Sequence, residues 1–388
     1  MDKGKIDKSR IEQNLEDFSF PRLSGTKEET KAFDLLNAKL KREGFTPSIQ
    51  KFSFSTFYSR VYPKVAFVLI FWLIFVLYIK INELFTLINS FVVAALMIPM
   101  IIITRKPENI KFGKVFTSQN QYLCLNNPQN SFNKDKNHII FIAHVDSKGQ
   151  RLTVKWRWLA NLTWTLSLIT MLTVLCLRDI IFQGGLILNI IGIVFLSIHL
   201  GATLSILFNT TNNKSRGAID NASGIATLLE LLSYFSLQKD FLEKNNVCFV
   251  FTGAEEAGTM GIRNFYKKIK DVNRENTLIF NIESIGETLS LFIAKQIKEN
   301  LSEYFKIVKE EVTEQEYKYK IISRGLGTHT DGVYLLQKGF HVIELESPDI
   351  YKFMHSVEDT PDKVDIGLIS ALIKMIIKPL TKSKKVNN

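Results

Sequence analysis

The chain has 388 residues, 46% hydrophobic and 22% charged, which excludes a disordered or fibrous protein. Forty-nine basic against 38 acidic residues leave a formal charge of +11, compatible with nucleic acid, anionic lipid or membrane-flanking cations. Length alone suggests two or three domains at about 150 residues each, or one large enzyme domain with additions, and the mean hydropathy of +0.06 is an average that hides two concentrated apolar regions.

The N-terminus, MDKGKIDKSRIEQNLEDF, is too polar for the apolar core of a signal peptide. Residues 27–43 predict an amphipathic helix, with Phe33, Leu36 and Leu40 on one stripe and Gly44 as its stop. Residues 47–53 then alternate as a strand. From Val65 to Ile79 the sequence carries no charge, and after Lys80-Ile81-Asn82-Glu83 a second apolar run extends from Leu84 to Thr104. A second pair follows, Trp158–Leu177 and Gly184–Phe208, separated by Arg178-Asp179. Each run approaches the ~20 residues that cross a bilayer. Four such runs in two tight pairs exceed ordinary core helices, and Tyr62, Trp156 and Trp158 suit an interfacial belt.

Two hairpins return the chain to one side, so residues 1–58, 107–155 and 210–388 share one face of the membrane. Arg60, Lys64, Arg105, Lys106, Lys111, Lys114, Lys148, Arg151, Lys155, Arg157, Lys214 and Arg216 flank the spans on that face. The opposite loops carry only Lys80 and Arg178. The positive-inside rule makes the polar part and both termini cytoplasmic. His199, Asn161 and Asn189 fall at membrane depth, where hydrogen bonding between helices explains them more simply than a polar pathway.

Strands are expected at 120–125, 138–143, 247–252, 277–282, 318–323 and 341–345, and helices at 222–236, 259–270, 299–311, 331–338 and 365–378. This alternation predicts an α/β fold with a mixed, mostly parallel central sheet and helices on both faces, interrupted by two transmembrane helical hairpins. The expected divisions are a catalytic domain at 1–58, 107–155 and 210–388, with hairpins at 59–106 and 156–209. Three cysteines, Cys124, Cys176 and Cys248, share no metal-ligand spacing, and their odd number argues against a disulfide framework. They read as small buried hydrophobes in a reducing compartment.

Chemistry collects at strand ends. The strand HIIFIA runs into His144-Val145-Asp146, where Asp146 can hold the imidazole while His144 binds a metal. Asp220-Asn221 opens a helix, and either a bridging carboxylate or an ordinary N-cap accounts for it. VCFVFT delivers Gly253-Ala254-Glu255-Glu256-Ala257-Gly258, and adjacent carboxylates at a buried strand end are costly unless cations or protons compensate them. One acid as ligand and the other as proton acceptor resolves that cost. TLIFNI ends at Glu283, and Phe353-Met354-His355-Ser356 supplies a late histidine.

This order of His, Asp, Glu-Glu, Glu and His resembles the co-catalytic dizinc exopeptidases that include bacterial leucyl aminopeptidases, glutamate carboxypeptidase II and the glutaminyl cyclases. Pro21-Arg-Leu-Ser-Gly-Thr26, Gly325-Leu-Gly-Thr-His-Thr-Asp331 and His355-Ser-Val-Glu-Asp-Thr360 also look like segments of that family. The resemblance covers nearly all the polar sequence and none of the spans. It implies two zinc ions, one on His144, Asp220 and Glu283 and the other on Asp220, Glu256 and His355. Glu255 would be the general base and Asp146 the residue that orients a ligand. Two departures stand out: Glu283 where the family commonly has Asp, and Thr330-Asp331-Gly332 where it often has Ser-Asp-His. For His329, substrate contact and packing both remain open, whereas His138 and His341 at strand starts read as structural.

The expectation is therefore a membrane-bound dizinc metallopeptidase, an aminopeptidase acting on peptides at the cytoplasmic membrane face. Carboxypeptidase or glutaminyl-cyclase-type amide chemistry is the alternative within enzymes, and an inactive membrane scaffold or receptor is the alternative outside them. Because the second hairpin interrupts the chain between His144 and Asp220, the mouth of the site is expected near the bilayer. No nucleic-acid partner is implied, and no feature specifies an oligomeric state.

Overall fold

In a computed structural model, residues 5–125, 127, 129–132, 137–182, 184–293, 319–322 and 329–382 are described. The chain divides into two units, one of residues 1–54, 116–149 and 212–388 and the other of residues 55–115 and 150–211.

The first unit is built on an eight-stranded sheet. Its strands are β1 (Ser48–Ser55), β2 (Val115–Cys124), β3 (Asn137–His144), β6 (Asn245–Thr252), β7 (Thr277–Ser284), β8 (Leu289–Ile293), β9 (Tyr319–Ile322) and β10 (His341–Glu346), while the short β4 (Gly149–Gln150) and β5 (Thr211–Asn212) pair separately. The order is β1-β2-β6-β3-β7-β10-β8-β9. The centre is parallel, β6 with β3, β3 with β7 and β7 with β10, and β2 and β8 join it antiparallel. The sheet is thus mixed and mostly parallel.

Alternation along the strands sets the two core layers, because successive side chains leave opposite faces of a sheet. Phe141, Phe249, Phe280, Ile343 and Leu345 face one layer, made with helices α1 (Lys8–Phe18), α2 (Lys27–Arg42), α7 (Ser223–Phe235), α8 (Lys239–Lys244) and α11 (Ile366–Lys382). Ile140, Ile142, Val250 and Ile279 face the other, against α9 (Met260–Ile269) and α10 (Asp331–Gln337). Phe141 stacks between Phe249 and Phe280 at ring distances of 5.2 and 5.1 Å, and is fully buried. Truncating it to alanine costs about 3–5 kcal/mol on the scale of buried aromatic deletions.

Most expected elements form within a few residues of their predicted limits. The predicted helix at 299–311 lies outside the described residues. Two helices and a main-sheet strand went unpredicted: α1, α8 and β8. In α1 the buried Ile11, Leu15 and Phe18 form a helical stripe, and Asp7 caps the start by accepting from Ser9 and Arg10 backbone N–H groups.

The cysteines correct the sequence reading. Cys124 and Cys248 form a disulfide, leaving Cys176 free. Antiparallel pairing of β2 with β6 puts these two residues directly opposite each other, with Cα atoms 4.0 Å apart. That register is a long-range property that residue spacing does not reveal.

Among its described residues, the second unit contains four helices long and apolar enough to cross a membrane, over Phe57–Ile79, Glu83–Thr104, Val154–Ile181 and Leu186–Leu207. Their regular parts are α3 (Tyr62–Ile79), α4 (Glu83–Thr104), α5 (Val154–Cys176) and α6 (Leu186–Leu207). Polar side chains turn inward here. Ser167 pairs with His199 Nδ1 at 2.9 Å across α5 and α6, and Trp164 Nε1 donates to Thr203 at 3.1 Å. The Arg178 guanidinium donates to the Tyr78 carbonyl at 3.0 Å, and the Tyr78 hydroxyl donates to the Asn189 carbonyl at 2.6 Å. His199 is thus hydrogen-bonded between helices.

Candidate metal centre

The parallel register carries three strand ends to one edge. His144 is the last residue of β3 and lies beside Thr252, the last residue of β6. The turn holding Glu255 and Glu256 follows at once, and Glu283 sits near the end of β7. Sites in α/β sheets collect beyond the carboxyl ends of parallel strands, as here.

Asp220 enters from the turn before α7. Its φ and ψ of −117° and 83° are non-helical, and the Asp220–Asn221 peptide is cis. Gly217 precedes it at φ +60°, where an added Cβ would stand 2.5 Å from Ser147 Cβ. Asn221, not Asp220, serves the helix start: its Oδ1 accepts the Gly224 N–H at 2.9 Å, and its amide donates to the Ile282 carbonyl at 2.8 Å. The capping explanation for Asp220 is thereby removed, and its carboxylate is left to face the histidines.

That carboxylate lies between them. Oδ1 is 3.1 Å from His144 Nε2, and Oδ2 is 3.1 Å from His355 Nε2. Beyond His144 stands Glu283 Oε1 at 3.9 Å, and beyond His355 stands Glu256 Oε1 at 2.8 Å. Among the described residues, two groups could each hold a metal ion: His144, Glu255 and Glu283, and Asp220, Glu256 and His355, with ligand atoms inside each group within 4.8 Å of one another. All seven sequence-predicted residues are buried or nearly so and meet at this edge, although Glu255 lies with His144 and Glu283 rather than apart from them.

Asp146 does its orienting in an unexpected way. His144 Nδ1 lies 3.0 Å from the Asp146 backbone carbonyl, and the Asp146 carboxylate stays 3.7 Å away. A carbonyl only accepts, so Nδ1 carries the hydrogen and Nε2 presents its lone pair toward Asp220. The Asp146 carboxylate instead grips the next loop, accepting the backbone N–H groups of Glu255 and Glu256 at 3.0 Å each and the Ser24 hydroxyl at 2.5 Å.

Three further residues carry the site without having been singled out. Arg22 is fully buried and donates to the carbonyls of Val145, Phe18, Phe20, Arg216 and Gly217. Glu29 accepts from Ser118 Oγ at 2.6 Å, Gly25 N at 2.6 Å and Ala254 N at 3.2 Å, tying α2 to the Glu255 turn. Lys148, counted above among the cations flanking the spans, is paired with Glu256 Oε2 at 2.5 Å. Arg22 lies within the family-like segment Pro21-Arg-Leu-Ser-Gly-Thr26, whereas nothing local signals Glu29 or Lys148. His138 is structural as expected, pairing with the Asn246 amide at 3.1 Å. His329 is exposed and belongs to neither ligand group, while residues 323–328 of its loop lie outside the described residues.

Electrostatics separate the acids. Burial, reinforced by Glu283, pushes Glu255 well above the usual carboxylate range, and burial does the same to Glu283. Asp220 is held well below that range, because the neighbouring His144 and His355 overcome the opposing effect of burial. Glu256 falls to about 2, as His355 and Lys148 outweigh its burial. Burial tends to lower His144, but Asp146 and Asp220 raise it well above an ordinary imidazole. Asp331, which accepts from Thr252 Oγ1 at 2.5 Å, is raised by burial to about 6.

The residues fit a metal pair. Buried His144 Nε2, Asp220 Oδ2 and Glu256 Oε1 have no hydrogen-bond partner, an expensive condition for polar atoms unless a ligand meets them. Imidazole nitrogen and carboxylate oxygen are zinc donors, and a carboxylate with one oxygen toward each histidine is suited to bridging two ions.

A family model described as peptidase family M28 matches residues 193–379. Among solved structures, a leucine aminopeptidase precursor from Bacteroides thetaiotaomicron aligns with a TM-score of 0.54 at 15% identity, over 99% of each chain. A zinc aminopeptidase from Bacillus subtilis aligns with a TM-score of 0.54 at 13% identity, over 99% of this chain and 98% of that one. A glutaminyl cyclase from Fimbriiglobus ruber gives 0.53 at 13% identity, over 98% and 96%. At such identities the likeness concerns the fold. No curated protein sequence matches the chain.

Proposed function

We propose that the chain is a membrane-anchored member of peptidase family M28, a dizinc metallopeptidase that removes N-terminal residues from peptides. The observation that carries this reading is the Asp220 carboxylate, 3.1 Å from a histidine on each side and flanked by Glu283 and Glu256. His144, Asp220 and Glu283 would hold one zinc, and Asp220, Glu256 and His355 the other. When bound, such a pair supplies Lewis acidity, acidifying water and polarising the scissile carbonyl.

The remaining work falls to the protein. Glu255, raised in proton affinity by burial, takes the proton of the attacking water on its carboxylate and delivers it to the departing amine. Asp146 and Glu29 fix its approach by holding the backbone N–H groups of Ala254, Glu255 and Glu256. His144 is fixed as a ligand by the hydrogen bond of Nδ1 to a carbonyl.

The four long apolar helices support anchoring in a bilayer, and the distribution of Lys and Arg supports a cytoplasmic catalytic part and cytoplasmic termini. A C-terminal reporter active only outside the cytoplasm, together with a persistent Cys124–Cys248 bond, overturns that orientation, because such bonds endure in oxidising compartments.

The test is metal content and turnover of amino-acid amides by the purified full chain. Glu255→Gln should keep both zinc ions and lose about 10²–10⁴-fold in rate. Cyclisation of N-terminal glutaminyl peptides without amide hydrolysis would instead assign glutaminyl-cyclase chemistry to the scaffold. Full activity in Glu255→Gln or after chelation defeats the mechanism.

A further inference from the structure

The two outer carboxylates of the centre are held differently. Glu283 Oε2 accepts from the neutral amide of Asn281 at 2.9 Å. Glu256 Oε2 accepts from the Lys148 ammonium at 2.5 Å, and the lysine side chain is only 14% exposed. Lys148 follows β3 by a few residues, so the same segment that presents His144 to one half of the centre carries a positive charge to the other. The Glu256 backbone is fixed by Asp146, and Oε1, buried without a hydrogen-bond partner, is turned toward His355.

We propose that Lys148 is a positioning residue that restricts Glu256 to one ligating oxygen and makes the Glu256–His355 half of the centre the looser of the two for zinc. This rests on the dizinc reading above. With Oε2 engaged, Glu256 offers Oε1 alone. An ammonium a few ångströms from a divalent cation also repels it, and in a buried setting that repulsion is weakly screened. The Glu283 half has a neutral donor in the corresponding place and no such penalty. The centre is thus graded, with one tightly held ion on His144 and Glu283 and one exchangeable ion on Glu256 and His355.

The experiment is a calorimetric zinc titration of the full chain in detergent, after chelation and removal of the chelator. The wild type should bind in two steps. Lys148→Met, similar in length and uncharged, removes the repulsion and should tighten the weaker step by about tenfold, leaving the stronger one unchanged. Lys148→Arg, which keeps the charge, should restore the wild-type pattern, and unchanged thermal unfolding of the zinc-free variants shows that the fold is intact. Equal shifts in both steps, or no shift in either, overturn the proposal while leaving the dizinc reading in place. A wild-type chain that binds no zinc overturns both.

Discussion

Phe141 and Phe91 are the same side chain in opposite settings. Phe141 is fully buried in the sheet core, whereas Phe91 on α4 is 73% exposed. In the first unit, apolar side chains point inward and even charged groups are buried once fully hydrogen-bonded, as Arg22 and Glu29 are. In the second, the polar groups Ser167, His199 and Thr203 are inside, and leucines and isoleucines cover the outside. The difference teaches that hydrophobicity follows the surrounding solvent: water around one unit, and under the proposed reading hydrocarbon around the other.

The largest expected effect tests the polar side of this comparison. Arg22→Met should destabilise the first unit by about 3–5 kcal/mol, because the carbonyls that Arg22 binds lose their donor in a buried site. Thermal unfolding of the α/β signal should drop while the helical hairpins keep their protease-protected fragments. Loss of both together would mean that the units do not respond separately. Next comes Phe91→Lys, which should cost about 2.5–3.5 kcal/mol of insertion if lipid covers α4. Glycosylation mapping of the hairpin measures this, and undiminished insertion would break the contrast.

The smallest effect concerns Glu29. Burial first, and then the neighbouring Asp146 charge, pushes its carboxyl from 4.5 up to about 8. The folded state therefore binds this proton more tightly than the unfolded state. Its contribution to stability is full below pH 4.5 and is lost as pH rises toward 8. Glu29→Gln should flatten the stability profile across that window, at a uniform cost of about 1–3 kcal/mol for the disturbed acceptor geometry. An unchanged slope in thermal unfolding against pH would assign the titration to other groups.

The strands of the centre were legible because fully buried parallel strands read as unbroken apolar runs, and HIIFIA and VCFVFT are such runs. His144, Glu256 and Glu283 were legible because each ends or follows such a run, and Asp220 because it precedes a helix; His355 was legible only through the motif His355-Ser-Val-Glu-Asp-Thr360. What escaped depends on register and on distance. Cys124 meets Cys248 only through the antiparallel pairing of β2 and β6. Lys148 looked like one more membrane-flanking cation, since only folding brings it to Glu256, 108 residues away. Arg22 acts on backbone carbonyls and Glu29 mainly on backbone N–H groups, and neither kind of partner leaves a trace in side-chain patterns. In β8, LSLFI is too short to stand out from its polar surroundings, and in α1 the stripe of Ile11, Leu15 and Phe18 is sparse within a strongly polar sequence.

The interrupted sheet also dictates an order of manufacture. Strand β3 lies between β6 and β7, and both of these are synthesised only after the second apolar hairpin. As the ribosome proceeds, the apolar HIIFIA segment emerges with no sheet neighbour on either side, and none arrives until residue 245. Sheet closure is therefore a late, long-range event, slow and exposed to aggregation in the interval. Ribosome-bound chains ending before β6 should recruit chaperones to β3, and release should follow once β7 has emerged.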